Sequence, residues 1–156
     1  MPGHTEGAGS AGRKPSVIRP GVAAVIQDTN GHVLLHRRRA GEGWAPLSGH
    51  VEPGENIAAA IHREILEETA LRADVKRLVG VYSDPAYQIV RYADGSTVHF
   101  VTCVFLCTPT GGRFEGSDEG AEWGWFPENA LPDGMTPYGL VWLEDAFSAS
   151  ASPFIR

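Results

Sequence analysis

The stretch GHVEPGENIAAAIHREILEETAL, residues 49–71, joins a glycine-bearing loop to the strongest helix candidate in the chain. Neither glycine nor proline occurs between residues 56 and 69, and Asn56 is a favourable N-cap for a helix over this range. The loop from Gly49 to Gly54 directly precedes the helix N-terminus, where backbone N–H groups and the helix dipole favour anions. This arrangement predicts an anion-binding loop followed by a helix.

The predicted helix does not separate polar from apolar side chains. At about 100° per residue, Glu68 falls about 40° from Glu64 on the helical wheel. Glu68 therefore lies between Ile57 and Ile61, on the face expected to pack against a sheet. Glu67 adds a third carboxylate, and like charges one turn apart repel each other. Either a divalent cation such as Mg²⁺ or Mn²⁺ neutralises these carboxylates, or they form a solvated acidic face.

The loop before the helix favours the metal alternative, because a glycine-bearing loop, a helix N-terminus and an acidic face together suit a polyphosphate site. The 156-residue chain has a formal net charge of −6. This balance argues against nucleic-acid binding, which needs clustered lysine and arginine. A bound cation would connect an acidic protein to an anionic substrate. The sequence therefore favours a small phosphorylated substrate.

Residues 49–71 resemble the Nudix box. In that pattern a glycine, five residues, a glutamate and seven residues precede Arg-Glu-aliphatic-any-Glu-Glu-any-Gly-aliphatic. Every fixed position is present here except the last glycine, which is Ala70. The chain is thus similar to MutT-like Nudix hydrolases, with looser similarity over about residues 17–148. Glycine at the end of this helix would take a left-handed conformation. Alanine in its place is expected to lower the stability of the fold by about 1 kcal/mol.

The resemblance implies roles for the residues of the box. It implies that Glu67 and Glu68 bind Mg²⁺, with Mn²⁺ as a possible substitute, and that the Gly49 carbonyl joins them. It implies that Glu64 is a further metal ligand or the general base, since different members use this position differently. Arg63 completes the catalytic group that the resemblance implies.

Two further contributions to the site follow from the resemblance. Glu55 is similar to the residue that, with Arg63, orients the helix and loop in support of the metal ligands. Another metal-binding carboxylate is expected from the loop before the last strand. The candidates are Glu115, Asp118, Glu119 and Glu122. Glu119 is preferred as the metal ligand for its spacing to Trp125, Glu122 is the alternative, and a solvated acidic loop is the third interpretation.

Three consecutive arginines end the second predicted strand. Side chains alternate along a strand, so Arg37 and Arg39 point to one face and Arg38 to the other. We expect Arg37 or Arg38 to bind substrate, since a guanidinium suits phosphate oxygens. The alternative is an exposed basic strand end.

Outside the box the sequence predicts an α+β protein of the Nudix fold, a mixed β-sheet sandwiched between helices in an α/β/α arrangement. Asn30-Gly31 and Ala93-Asp-Gly95 are hairpin signals, and Thr136-Pro137 is a helix start. The predicted strands are 17–27, 33–38, 73–82, 87–91, 97–108 and 122–126, with 41–54 as loop and helices at 56–69 and 136–147 on opposite faces. Residues 1–16 are expected to be a disordered leader, and 17–150 the Nudix hydrolase domain.

The predicted function is Mg²⁺-dependent hydrolysis of a diphosphate linkage in a nucleoside diphosphate derivative. Conversion of a nucleoside triphosphate to the monophosphate and pyrophosphate is favoured. ADP-ribose or another nucleotide sugar comes second, since Pro85 lies where many ADP-ribose hydrolases of the family have a proline. The alternatives are a non-catalytic Nudix-like nucleotide sensor and an isoprenoid diphosphate isomerase.

The expected partner is a small nucleotide, without nucleic acid or membrane, and the sequence does not distinguish a monomer from a homodimer. No run of 18 apolar residues is present, so no membrane span is expected. Cys103 and Cys107 lie four residues apart in an apolar strand, too far to pair, and suit buried thiols. Free thiols fit a reducing compartment, so we expect a cytoplasmic protein.

Overall fold

The computed structural model describes residues 14–37, 42–117 and 122–156. The strands are β1 (Val17–Ile26), β2 (His32–Arg37), β3 (Leu47–His50), β4 (Leu71–Tyr82), β5 (Ile89–Arg91), β6 (Thr97–Gly112), β7 (Glu122–Pro127) and β8 (Phe154–Ile155). The helices are α1 (Ile57–Thr69), α2 (Pro85–Gln88) and α3 (Pro137–Phe147). Asn56 caps α1 by accepting a hydrogen bond from the Ala59 amide, and Thr136 caps α3 in the same way through the Gly139 amide.

The main sheet is mixed, which confirms the predicted fold class. Its order is β3-β1-β6-β4-β8, with β5 also paired to β6. Strand β1 runs parallel to β6, whereas β3 is antiparallel to β1 and β4 is antiparallel to β6. Strands β2 and β7 form a separate antiparallel pair.

Two apolar clusters lie on opposite faces of this sheet and place the two long helices as predicted. Alternate residues of β1 enter different clusters, because successive strand side chains point to opposite faces. Val22, Ala24 and Ile26 pack with Ala60, Ile61 and Ile65 of α1. Ala23 and Val25 pack with Trp142, Leu143 and Ala146 of α3. Leu140, which the helical pattern groups with Leu143, is exposed instead.

The structure differs from the sequence pattern in several local elements. The region predicted as loop contains β3, a short edge strand with weak strand propensity that forms by pairing with β1. The hairpin turn at Gly31 exists, yet β2 leaves β1 after the Gln27–Val33 bridge and pairs with β7. Residues 85–88 are helical, and β8 pairs in parallel with β4 beyond residue 150. Long-range pairing decided the strands among these elements, and local sequence does not encode it, whereas the helix at residues 85–88 has a local start signal in Asp84-Pro85.

The C-cap of α1 is a left-handed alanine. Ala70 has φ 57° and ψ 12°, and its N–H donates to the Leu66 carbonyl oxygen. It is the one non-glycine residue with positive φ in the part of the chain that the structure describes. A Cβ in this region crowds the backbone, which is why glycine is favoured there. Ala70 therefore occupies the conformation for which the family's glycine is suited.

Replacing Ala70 by glycine is expected to stabilise the protein by about 1 kcal/mol, because glycine takes positive φ without the Cβ penalty. For a chain of this size, the corresponding rise in Tm is about 2–4 °C. Thermal unfolding measures it. Ala58→Gly, at an exposed position inside α1, is the matched control and should lower Tm instead. A lower Tm in Ala70→Gly would contradict the strain argument.

Candidate functional site

Arg63, on α1, joins the helix to the preceding loop by short polar contacts. Its Nε and Nη2 atoms donate to the two carboxylate oxygens of Glu55 at 2.7 and 3.0 Å. Nη2 also donates to the His50 carbonyl oxygen at 2.9 Å. Nη1 donates to Glu64 Oε1 at 3.0 Å and to Glu67 Oε2 at 3.2 Å. One guanidinium thus fixes the loop against the helix and brings two helix carboxylates to a single nitrogen.

Glu55 supports this arrangement from the loop. Besides Arg63, it accepts a hydrogen bond from the Glu52 backbone amide at 3.0 Å. The Arg63 guanidinium, and then the Glu52 amide, lower the pKa of Glu55 from 4.5 to about 2. The structure therefore gives Glu55 and Arg63 the geometry of positioning residues.

The Glu55–Arg63 pair should stabilise the fold at neutral pH and lose its effect in acid. Because the folded-state pKa of Glu55, about 2, lies below the ordinary value of 4.5, the contribution is complete above about pH 4.5 and lost as pH falls towards 2. Urea unfolding of wild type and Glu55→Gln measures the difference between neutral pH and about pH 2.5. That difference should shrink in acid, and a constant difference would refute the assignment.

Glu64 is the most deeply buried acidic residue of α1, with 9% of its surface exposed. Its carboxylate lies directly against the Cα atom of Gly49, where any Cβ would overlap it. Burial raises the pKa of Glu64, and the negative charge of Glu67 raises it further. The hydrogen bond and the charge of Arg63 lower this pKa, which still remains above its ordinary value. Position 49 thus needs glycine for a packing reason, and a nearby cation would stabilise the ionised form of Glu64.

The order of burial along α1 differs from the wheel prediction. Ile61 is fully buried as expected, but Ile57 is 39% exposed, since it starts the helix among the exposed residues of the loop and first turn. Glu68, expected to face inward, is half-buried, whereas Glu64 is buried and Glu67 exposed. The wheel gives the buried face correctly, and the overlap of the helix with the sheet decides which residue is covered.

The residues around Arg63 fit a divalent cation by their chemistry. Carboxylates outnumber the arginine, because Glu52, Glu55, Glu64 and Glu67 all lie within 4.0 Å of it. Surplus carboxylate oxygens beside a buried glutamate suit a hard cation. Within residues 14–37, 42–117 and 122–156, no three acidic, histidine or cysteine side chains already form a metal-binding group. Glu64 and Glu67 face the guanidinium instead.

The loop after β6 runs along the end of the box helix. The Glu115 amide donates to the Thr69 carbonyl at 2.9 Å, and the Ser117 amide donates to the Glu68 carbonyl at 3.0 Å. The preferred ligand Glu119 follows shortly after Ser117 and lies outside the described residues. Its assignment as a metal ligand stays a prediction.

Of the two predicted substrate-binding residues, the structure describes Arg37 and does not describe Arg38. Arg37 Nε donates to Glu122 Oε2 at 2.6 Å, opposite it in the β2–β7 pair, and its guanidinium lies 5.2 Å from the Trp44 ring centre. Arg37 is thus paired with Glu122, the alternative candidate for the loop carboxylate. Arg38 lies outside the described residues, and substrate binding by either arginine stays a prediction.

Two neighbouring cavities lie on the face of the sheet that carries α3, and the smaller of them adjoins the box loop. The smaller is lined by Ser48 and Gly49 from β3 and by residues of β1, β5 and β6. The larger, about 550 Å³, extends to the end of the chain and is within the usual size range of ligand pockets. The residues shared by both walls are Tyr87, Gln88, Tyr138 and Trp142. An aromatic-lined space therefore begins beside the Gly49 backbone.

Gln88 was not recognised as a cavity residue, because the sequence pattern predicts a strand that includes Tyr87 and Gln88. They belong to α2, with Asp84 as N-cap and Pro85 at the first turn. Asp84-Pro85 is the same kind of helix-start signal as Thr136-Pro137. That signal could have placed Gln88 on a helix.

Comparison with known proteins defines the class of protein. A NUDIX domain model matches residues 17–145. A "MutT-like protein" of Streptomyces ambofaciens is 29% identical over 142 residues, covering 91% of this chain and 84% of that protein. An "ADP-ribose pyrophosphatase" of Methanocaldococcus jannaschii is 36% identical over 119 residues, covering 74% and 66%. The chain belongs to the NUDIX family and is a Nudix hydrolase.

Solved structures agree with this assignment. A MutT NUDIX hydrolase from Burkholderia pseudomallei is 30% identical, with a TM-score of 0.64 over 82% of this chain and 97% of that one. A NUDIX hydrolase from Nitrosomonas europaea has a TM-score of 0.70 at 20% identity, over 91% and 79%, and supports the fold alone. Nudix hydrolases generally use a divalent metal ion. No helix among the described residues is long and apolar enough to cross a membrane.

Proposed function

We propose that this chain hydrolyses a diphosphate linkage in a nucleoside diphosphate derivative with Mg²⁺ as the metal, nucleoside triphosphates being the first choice and ADP-ribose the second. The observation that carries the proposal is the contact between the buried Glu64 carboxylate and Gly49, at the edge of an aromatic-lined cavity. This contact puts the acidic face of α1 and the cavity on two sides of the same loop residue.

The proposed metal site consists of Glu67 and Glu68, the Gly49 carbonyl and Glu119, with Glu64 as a further ligand or the general base. The metal supplies charge neutralisation of the phosphate oxygens and a more acidic water. Arg63 holds the helix carboxylates and the loop in register, with Glu55 on the loop side. We propose that Arg37 or Arg38 contacts the substrate outside this group.

Two relatives with comparable sequence identity to this chain have names that specify different nucleotide substrates. One is the "ADP-ribose pyrophosphatase" of Methanocaldococcus jannaschii, and another is "Nucleoside triphosphatase NudI" of Klebsiella pneumoniae, 30% identical over 111 residues. Both names describe hydrolysis within a nucleotide, which supports the class of substrate proposed here. The order of the two substrate types rests on the size of the chain and its acidic balance.

A substrate panel with Mg²⁺, Mn²⁺ or chelator tests the proposal. Nucleoside triphosphates, ADP-ribose, nucleotide sugars and dinucleotides are incubated with the full chain, and products are separated by chromatography so that the cleaved bond is identified. We expect cleavage of at least one nucleotide class with Mg²⁺ and none in chelator. Turnover of non-nucleotide diphosphates alone, or equal turnover in chelator, would overturn the proposal.

A further inference from the structure

Residues 154–156, which are strand β8 and the arginine after it, form a strap along the edge of β4. Strand β8 pairs in parallel with Gly80 and Val81, and the Arg156 amide donates to the Val81 carbonyl oxygen at 2.9 Å. A Cβ at Gly80 would stand only 2.6 Å from the Phe154 carbonyl oxygen. The close approach of the strap to β4 therefore requires glycine at position 80.

The Arg156 side chain crosses from the strap to α3. Its Nε and Nη2 atoms donate to the two carboxylate oxygens of Asp145, both at 2.8 Å, and the Tyr82 hydroxyl donates to the same carboxylate at 2.8 Å. Burial of Asp145, which is 3% exposed, acts to raise its pKa, but the hydrogen bonds from Arg156 and Tyr82 hold this pKa below its ordinary value. Among the described residues, Arg156 is the one cation paired with this buried carboxylate.

The strap also holds the turn between β4 and α2. The Ser83 amide donates to the Arg156 carbonyl oxygen at 2.6 Å, and the Ser83 carbonyl oxygen lies 2.6 Å from His99 Nε2 on β6. Asp84, the next residue, caps α2 by accepting a hydrogen bond from the Ala86 amide. Arg156 therefore contacts the start of α2 through its backbone and α3 through its side chain.

The two helices joined in this way carry the aromatic walls of the cavities. Tyr87 lies on α2, Tyr138 and Trp142 lie on α3, and all three line both cavities. Trp142 is three residues before Asp145 and so lies on the same face of α3. The Tyr82 ring packs edge-on against that of Trp142, with 6.3 Å between the ring centres. A shift of Asp145 would therefore move the Trp142 wall.

We propose that Arg156 is a positioning residue that sets the separation of α2 and α3, and with it the width of the cavity that receives the nucleotide. This inference rests on the proposed function. Without the guanidinium, the Asp145 carboxylate would be buried without its cation, which is strongly destabilising, and α3 would move to expose it to water. The substrate would then bind less tightly. The acidic helix α1, which packs on the opposite face of the sheet, would stay in place.

Kinetics of Arg156→Ala test this role with the best nucleotide of the substrate panel, well below the Tm of each variant. KM should rise about 5- to 10-fold and kcat should change by less than about twofold, because binding is weakened and the acidic face of α1 is not. A merely structural role would reduce the folded fraction, which lowers the apparent kcat and leaves KM unchanged. Arg72→Ala, at an exposed position of β4 outside both cavity walls, is the matched control and should match wild type. An unchanged KM in Arg156→Ala would overturn the inference.

Asp145→Asn separates positioning from direct contact, because Arg156 also lines the larger cavity. In the double variant Asp145→Asn/Arg156→Ala no buried charge lacks its cation, since asparagine is neutral and still accepts from Tyr82. Its KM should return to within about twofold of wild type. If Arg156 bound the substrate itself, KM would stay as high as in Arg156→Ala, and positioning would be refuted. Arg156→Lys keeps the charge without the two-point geometry and should give an intermediate KM.

Hydrogen exchange without substrate keeps this inference separate from the proposed function. In Arg156→Ala the amides of residues 83–88 and 140–147 should exchange about tenfold faster than in wild type, while those of α1 stay unchanged. The double variant should restore the wild-type rates. Wild-type exchange in both segments of Arg156→Ala is incompatible with the inference. If exchange responds and is restored as expected but no nucleotide is cleaved, the role of Arg156 stands and only the proposed function fails.

Discussion

Hydrolysis supported by Mg²⁺ is expected to fall about a hundredfold or more when Glu68 is replaced by glutamine, because loss of the charge proposed to bind the metal weakens phosphate polarisation and water activation. The Tm of the metal-free protein should stay unchanged or rise by about 1 °C, since the substitution relieves repulsion from Glu64 one turn away. The measurement combines hydrolysis rates over a range of Mg²⁺ concentrations with thermal unfolding in chelator.

The opposite signs of these two effects make the test specific. A residue needed only for folding would lower both the rate and the Tm, and a residue of a solvated acidic face would change neither. Glu128→Gln is the control, because Glu128 is an exposed carboxylate outside the box. Wild-type rates in Glu68→Gln at every Mg²⁺ concentration would remove the metal-ligand role.

Replacement of Arg63 by lysine should cost about 2–3 kcal/mol of stability although the charge is kept, because lysine cannot reproduce the forked geometry of a guanidinium. The substitution would break the two-point hydrogen bond with Glu55 and the bond to the His50 carbonyl. Glu64, which is buried, would be deprived of its neighbouring donor at the same time. Urea unfolding in chelator measures this change.

Activity of Arg63→Lys should fall about 10- to 100-fold, as expected for residues that orient metal ligands rather than contact the reacting atoms. Arg72→Lys is the matched control: Arg72 is exposed on β4, and its substitution should change stability by no more than about 0.5 kcal/mol. A stability loss in Arg63→Lys no larger than in Arg72→Lys would contradict the central role given to Arg63.

The box could be recognised from the sequence because its information is local. Asn56, the absence of glycine and proline, and the spacing of the glutamates all act within a few turns of one helix, and α1 begins and ends as predicted. Ala70 shows the same kind of local determination: the sequence indicated a position suited to glycine, and the structure has a left-handed residue there.

Burial within the site was less predictable, because it depends on where the helix lies on the sheet. The wheel placed Glu68 between Ile57 and Ile61 on the inward face, whereas Glu64 is the buried carboxylate, packed against Gly49. A helical wheel treats every turn alike. In the folded protein β3 covers the turn that carries Glu64, and the first turn with Ile57 remains exposed.

The sequence by itself determined the family, the box helix with its cap and its carboxylates, and a mixed sheet with a helix on each face. Tertiary structure alone decided that β2 pairs with β7, that β3 is a strand, and that Gln88 and Trp142 meet beside the Gly49 loop. The physical reason is the range of the interactions. Caps, helix propensity and spacing act between near neighbours, whereas strand pairing and cavity walls depend on residues far apart in the chain that come together only after folding.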